Sequence, residues 1–259
     1  MTSIKYKVES GVQLLARLTK KPVIENFYCS LFQPGLKQDD VVEIVGEEIS
    51  SSLLIDLIVE ALLPSKINVE PIGVLVFNTI GKLNYEELIK TLKKRIGTLS
   101  ASNIDCVEVN DALHRSLSNL FILDIYDTTQ LYTTIHNLDN ILTNHHNISL
   151  LIFDTLTAFY WSEQGHKITK MDLYIKNLLK MIQKVTKEHK VILIYTKPRH
   201  FNSNKDSGNP NDIQITEGIN YKVQLLESNS SRLYNLIIRT NDLCYTKYIN
   251  IEDNQINWL

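Results

Sequence analysis

Residues 148–161 read I-S-L-L-I-F-D-T-L-T-A-F-Y-W. The stretch opens on a short apolar run, turns polar at Asp154 and resumes with Leu156, Ala158, Phe159, Tyr160 and Trp161. A continuous apolar run flanked by helical patterns predicts a central parallel strand buried on both faces. Asp154 then stands at the C-terminal end of that strand, the edge at which open α/β sheets bind their ligands. Two readings of the carboxylate follow. It supports a metal or a phosphate-bound water, or it caps and hydrogen-bonds the neighbouring turn.

Working outward, the same alternation repeats. Upstream, residues 41–45 followed by Gly46 form a β-type run, and Leu53, Leu54, Leu57, Ile58, Ala61 and Leu62 then recur at helical spacing until Pro64 stops them. A second unit predicts a strand at 74–77 and a helix at 86–96 that ends near Gly97. A polar stretch, 100–115, separates it from a third strand at 121–126 and a third helix marked by Leu131, Ile135, Leu138 and Leu142. Downstream, an amphipathic helix is predicted from about 170 to 189 and a buried strand at 191–195. Residues 197–218 lack a period and are rich in Asn, Ser, Pro and Gly, which predicts a mobile loop. The pattern then changes to an antiparallel hairpin, 221–226 with 233–239, and a further edge strand at 245–251. The fold class is α/β: a mostly parallel central sheet with helices on both faces, extended by antiparallel strands at the C-terminal end.

Bulk composition narrows the function by exclusion. With 259 residues, 27 Lys+Arg against 29 Asp+Glu and a net charge of −2, nothing global marks a nucleic-acid or membrane-surface binder, so any such role rests on local patches. Cys29, Cys106 and Cys244 are odd in number, widely spaced and free of C-x-x-C, which argues for a reducing compartment and against zinc. Residues 1–20 carry Lys5, Lys7, Glu9 and Arg17 without an apolar block, and no run is long enough to span a bilayer, so neither a signal peptide nor a membrane span is expected.

The turn after the first strand decides the chemistry. It reads G-E-E-I-S-S-S-L from Gly46 to Leu53. Set against the phosphate-loop pattern G-x-x-x-x-G-K-[ST], Gly46 matches the first glycine, but Ser51 stands for the second, Ser52 for the lysine and Leu53 for the magnesium-binding hydroxyl. Glu47 and Glu48 add negative charge where polyphosphate would sit. Ser50, Ser51 and Ser52 at a helix N-terminus read either as plain N-caps or as a residual anion site.

The order strand, altered phosphate loop, helix, then L-L-I-F-D-T-L-T-A-F-Y-W resembles the core of the RecA-type recombinases. The segments E-S-G-V-Q-L-L-A-R-L at 9–18 and D-V-V-E-I-V-G-E-E at 40–48 are similar to the paralogues of the eukaryotic strand-exchange recombinase, and Y-I-N-I-E-D-N-Q-I-N-W at 248–258 matches its closing strands in outline. The resemblance implies a RecA-like core at 39–259 preceded by an N-terminal arm at 1–38. It also implies where nucleotide chemistry would lie. The water-positioning glutamate of an active recombinase falls in the run Asn78, Thr79, Ile80, which has no carboxylate, and the run from Tyr195 to Pro198 lacks the γ-phosphate-sensing glutamine. The remnant positions are therefore Gly46, Ser51, Ser52, Leu53, Asn78, Ile80 and Asp154, with no catalytic residue and no metal site. No cofactor is expected; ATP with magnesium enters only if the phosphate loop has diverged yet still serves a DNA-stimulated ATPase. An unrelated α/β binding protein sharing only the layout is a third reading.

The resemblance further implies homologous-recombination repair of DNA double-strand breaks in the nucleus, through a hetero-oligomer with sister paralogues. Single-stranded or branched DNA would be reached through that complex. Lys197, Arg199, Phe201 and Lys205 are the candidates for direct contact, combining cations with an aromatic in the position of a DNA-contacting loop. Lys82, Lys90, Lys93, Lys94 and Arg95 form a second basic cluster, read as an exposed helix face. The arm has few places to bury Ile24, Phe27, Tyr28, Leu31 and Phe32, so it either lies against its own sheet or docks on a partner.

Overall fold

A computed structural model describes residues 10–22, 24, 27–46, 49–63, 72–81, 83–99, 106–164, 169–199, 215–228, 233–252 and 255–259. In chain order they form α1 (Gly11–Leu18), β1 (Val41–Val45), α2 (Ile49–Leu62), β2 (Gly73–Asn78), α3 (Tyr85–Leu99), α4 (Cys106–Leu117), β3 (Leu120–Asp124), α5 (Thr128–Asn144), β4 (Ile148–Asp154), α6 (Met171–Glu188), β5 (Ile192–Lys197), β6 (Tyr221–Glu227), β7 (Leu233–Arg239), β8 (Cys244–Glu252) and β9 (Gln255–Trp258). One sheet holds all the strands in the order β3-β2-β4-β5-β1-β6-β7-β8-β9. From β3 to β6 every pairing is parallel, and β6 to β9 are antiparallel.

β4 lies between β2 and β5 and is buried along its whole length. Its side chains alternate between two cores, as the period of two in a strand requires. Leu150 and Ile152 join Val74, Val76, Ile192 and Ile194 under α2 and α3. Leu151 and Phe153 join Leu75, Phe77, Leu193 and Tyr195 under α5 and α6. At the start of β4 the backbones approach closely: a Cβ on Gly73 would come 2.9 Å from the Ile148 nitrogen, so only glycine lets β2 enter the sheet there. Lys21 pins the chain after α1 to the same point, its ammonium donating to the carbonyls of His146 and Ile148 at 2.9 and 2.7 Å.

Four expectations are corrected. The polar stretch expected at 100–115 contains α4, whose Val109, Ala112, Leu113 and Leu117 pack on the core at helical spacing, while Val107, Glu108, Asn110, Asp111, His114 and Arg115 face water. α3 runs through Gly97 to Leu99, because an exposed helical glycine costs only about 1 kcal/mol and does not by itself end a helix. The single edge strand expected at 245–251 is two: within the 248–258 segment that resembles closing strands, β9 pairs with β8 and brings Ile256 and Trp258 to the core. The boundary at residue 38 does not divide the packing. Ile24, Phe27, Tyr28, Leu31, Phe32 and Leu36 are all buried in the core under α2, so that half of the arm lies against its own chain. Among the described residues of the arm, α1 keeps an open apolar face, with Leu14, Leu15 and Leu18 exposed.

A buried polar network ties the arm to three other elements. The Tyr28 hydroxyl donates to Asp56 Oδ2, Arg95 donates to Asp56 Oδ1 and to Glu60 at 2.7 Å, and Trp258 Nε1 donates to the Tyr28 oxygen at 3.2 Å. Arg95 is thus drawn out of the basic cluster expected to be a solvated face. Burial pushes the Asp56 carboxyl from 3.8 up to about 6, against the opposing pull of Arg95.

Two outcomes are expected. Phe32→Ala should lower the unfolding free energy by about 3–5 kcal/mol in urea titrations, whereas a detachable arm would leave it unchanged. Because folded Asp56 keeps its proton to higher pH than the unfolded chain, its contribution is largest below pH 3.8 and is lost as pH rises through about 6. The loss amounts to roughly 3 kcal/mol, so Asp56→Asn should flatten the stability profile in that window.

Candidate functional site

All the parallel strands deliver their C-terminal ends to one edge of the sheet, and the polar residues there are the candidates for chemistry. At the centre, Asp154 ends β4 almost wholly buried. Its Oδ1 accepts a hydrogen bond from the Thr196 hydroxyl at 2.7 Å. Its carbonyl accepts from the Thr79 backbone N–H at 2.8 Å and lies 2.9 Å from the Thr79 hydroxyl. That hydroxyl in turn accepts from the Thr155 N–H at 2.8 Å, and the Thr155 hydroxyl donates to the Thr196 carbonyl at 2.5 Å. Thr79 follows β2, Thr155 follows β4 and Thr196 lies in β5. Three strand ends are therefore stitched together through hydroxyls.

Gly46, the first residue after β1, is held against β5 and β6 on the same scale. The Gly46 N–H donates to the Lys197 carbonyl at 3.2 Å, and a Cβ on Gly46 would press against Leu225 at 3.1 Å. Ser51 and Ser52 are half-buried in the first turn of α2, and Leu53 is fully buried in the core. Glu47 and Glu48 lie outside the described residues. At the end of β2 Asn78 is buried, and two residues beyond it Ile80 is exposed. The remnant positions therefore share one sheet edge, but their side chains do not converge: Leu53 turns inward and Ile80 outward.

On the α6 face, β1 contributes a carboxylate that the sequence reading passed over. Glu43 is 2 % exposed, and its Oε2 accepts from the Tyr195 hydroxyl at 2.7 Å and lies 3.3 Å from Lys197 Nζ. Lys222 Nζ stands 3.8 Å from the other oxygen. Burial, then the Glu43 charge, pushes the Tyr195 hydroxyl well above its ordinary pKa, so it remains a donor. The residue's legible signal was a lone Glu at the centre of an apolar strand, which folding tolerates only with a buried cation. Above it a cleft of about 390 Å³ opens between α6 and residues 216–219, bridged by Lys176 and Glu217 at 3.1 Å.

This placement corrects one DNA-contact candidate. Lys197 belongs to β5, and its ammonium is committed to Glu43 instead of facing solvent. Arg199 is exposed just beyond the strand, while Phe201 and Lys205 lie outside the described residues.

No family model matches the chain. It is 24% identical over 208 residues to the DNA repair protein XRCC2 of Mus musculus, an alignment that covers 78% of this chain and 72% of that protein. Together with the strand order, this likeness supports a RecA-type recombinase paralogue with a RecA-like core.

Lys197→Ala should reveal which role the lysine plays. Removing one partner of a buried ion pair costs about 3 kcal/mol or more, so the urea midpoint should fall sharply; a variant as stable as the parent would mean that the pair contributes nothing.

Proposed function

Taking the chain as a RecA-type recombinase paralogue, we propose that it is a non-catalytic subunit acting in homologous-recombination repair of DNA double-strand breaks. It assembles with sister paralogues in a nuclear hetero-oligomer and reaches single-stranded or branched DNA through that assembly. No described helix is long and apolar enough to cross a membrane.

The observation that carries this reading is the inward turn of Leu53. The fold family implies ATP with magnesium, and the residues present do not fit them. Leu53, where a hydroxyl would hold magnesium, is a core side chain with no atom to offer. The Asp154 oxygen Oδ1 is engaged by Thr196, and the space over Gly46 is filled by Leu225. Since positioning and charge stabilisation are nearly all that a protein supplies to phosphoryl transfer, a site without lysine, hydroxyl and glutamate does not turn over.

Two surfaces support assembly. α1 holds Ala16 buried and presents Leu14, Leu15 and Leu18 to solvent. Among the described residues β3 ends the sheet with one pairing edge unused, and its Phe121, Ile122 and Leu123 are half-buried. Open edges and apolar helix faces are the usual seats of strand or helix addition.

Co-expression with sister paralogues and a fluorescent ATP analogue test this together. The chain should co-purify with a sister paralogue, lose that capture on combined Leu15→Glu and Leu18→Glu substitution while staying folded, and leave the analogue unbound with or without magnesium and single-stranded DNA. Failure of the unaltered chain to associate sinks the assembly. Tight analogue binding or turnover that disappears in Asp154→Ala points instead to a DNA-stimulated ATPase.

A further inference from the structure

Beside the stitched strand ends, the same edge of the sheet carries three aromatic side chains open to solvent. Tyr85 begins α3 at 42 % exposure, Tyr126 follows β3 at 75 % and Trp161 follows β4 at 65 %. Two contacts join them into one surface. The Tyr85 hydroxyl donates to Asp124 Oδ1 at 3.1 Å, two residues before Tyr126. The hydroxyls of Thr128 and Ser162, 3.4 Å apart, link the start of α5 to the residue after Trp161.

The charged groups of this surface are two carboxylates. Asp124 and Asp127 are exposed, and among the described residues neither carboxylate has a lysine or arginine partner. Asn78 is 4 % exposed, and its Nδ2 donates to Asp124 Oδ1 at 2.6 Å and to the Tyr85 oxygen at 3.3 Å. A carboxylate only accepts, so these contacts fix which end of the amide is nitrogen. Among the described residues, Asn78 Oδ1 is left as a buried acceptor without a hydrogen-bond donor. Leaving such a group unmade is unfavourable, so an outward shift of the amide that lets an N–H from outside reach the oxygen would be favoured.

We propose that this surface receives a guanidinium or ammonium group from a basic segment of a partner protein. The cation lies over the aromatic rings, pairs with Asp124 and Asp127 and donates to Asn78 Oδ1. Arginine fits better than lysine, because its planar fork stacks and donates at once. A nucleic-acid strand fits poorly: its phosphates would meet two carboxylates and a carbonyl, although its bases have rings to stack upon. The inference deepens the assembly reading and rests on it for the partner being a protein subunit.

The full-length chain is titrated with a fluorescein-labelled Arg-Gly repeat peptide, followed by anisotropy and by tryptophan emission, with Lys-Gly and Glu-Gly peptides and oligo-dT as parallel arms. Saturable binding is expected for Arg-Gly, weaker binding for Lys-Gly and none for Glu-Gly. Affinity should fall about tenfold in Tyr126→Ala and in Asp124→Asn, both shown to be folded by circular dichroism. The proposal is overturned if Arg-Gly does not saturate, if both variants bind it like the parent, or if oligo-dT alone changes the tryptophan emission and Trp161→Phe abolishes that change, which assigns the rings to base stacking. Peptide binding without paralogue co-purification sinks the assembly reading alone; co-purification without peptide binding sinks this surface alone.

Discussion

Three threonine hydroxyls hold the centre of this molecule. Thr79, Thr155 and Thr196 satisfy one another's strand ends and the carboxylate of Asp154, within 2.5 to 2.9 Å, at the point where β2, β4 and β5 leave the sheet. Parallel strands all finish at one edge, so their terminal backbone groups crowd together away from water, and each must find a partner. Here the partners are internal. A carboxylate that would otherwise face a ligand is part of the sheet's own hydrogen bonding, and the edge keeps its outward-facing chemistry only further along, around Asn78 and Asp124.

The same constraint explains the buried charges. Glu43 sits in β1 between β5 and β6, and it is tolerated because each neighbouring strand supplies a lysine and β5 adds Tyr195. Around Asp56 a tyrosine, an arginine and a tryptophan gather from the arm, α3 and β9. Both clusters join segments far apart in the chain, and in each the geometry is specified by polar contacts inside an otherwise apolar layer. Whether such groups add stability or only select one arrangement is a separate matter; burying them is unfavourable unless every member is paired.

Most of the fold was legible because its strands are buried on two faces. Runs such as those at 148–154 and 192–197 have no other sensible home than the middle of a parallel sheet. Legibility failed where burial is one-sided or depends on distant partners. α4 shows water most of its surface, so four apolar contacts were lost among polar neighbours. The residues from Phe27 to Leu36 carry no regular period, since they fill a surface built by α2 and the C-terminal strands instead of forming an element of their own. At the site, the local pattern identified Asp154 and the altered turn. It misplaced Lys197 because β5 continues two residues beyond the expected end, and a lysine inside a strand faces whatever the neighbouring strand holds. The Asn78, Tyr85 and Asp124 constellation joins residues 46 positions apart and leaves no local signature.

The strand order has a consequence for how the chain is made. β1 is the first strand to leave the ribosome, yet its two neighbours, β5 and β6, begin at Ile192 and Tyr221. During synthesis, therefore, an apolar strand waits without a partner on either side until some three quarters of the chain has emerged. Closing it requires pairing across about 150 residues, the kind of long-range contact that slows folding. The nascent protein is thus a natural client for chaperones, and its last quarter is a precondition for the sheet, so a message cut short before β5 yields a product with no place for β1.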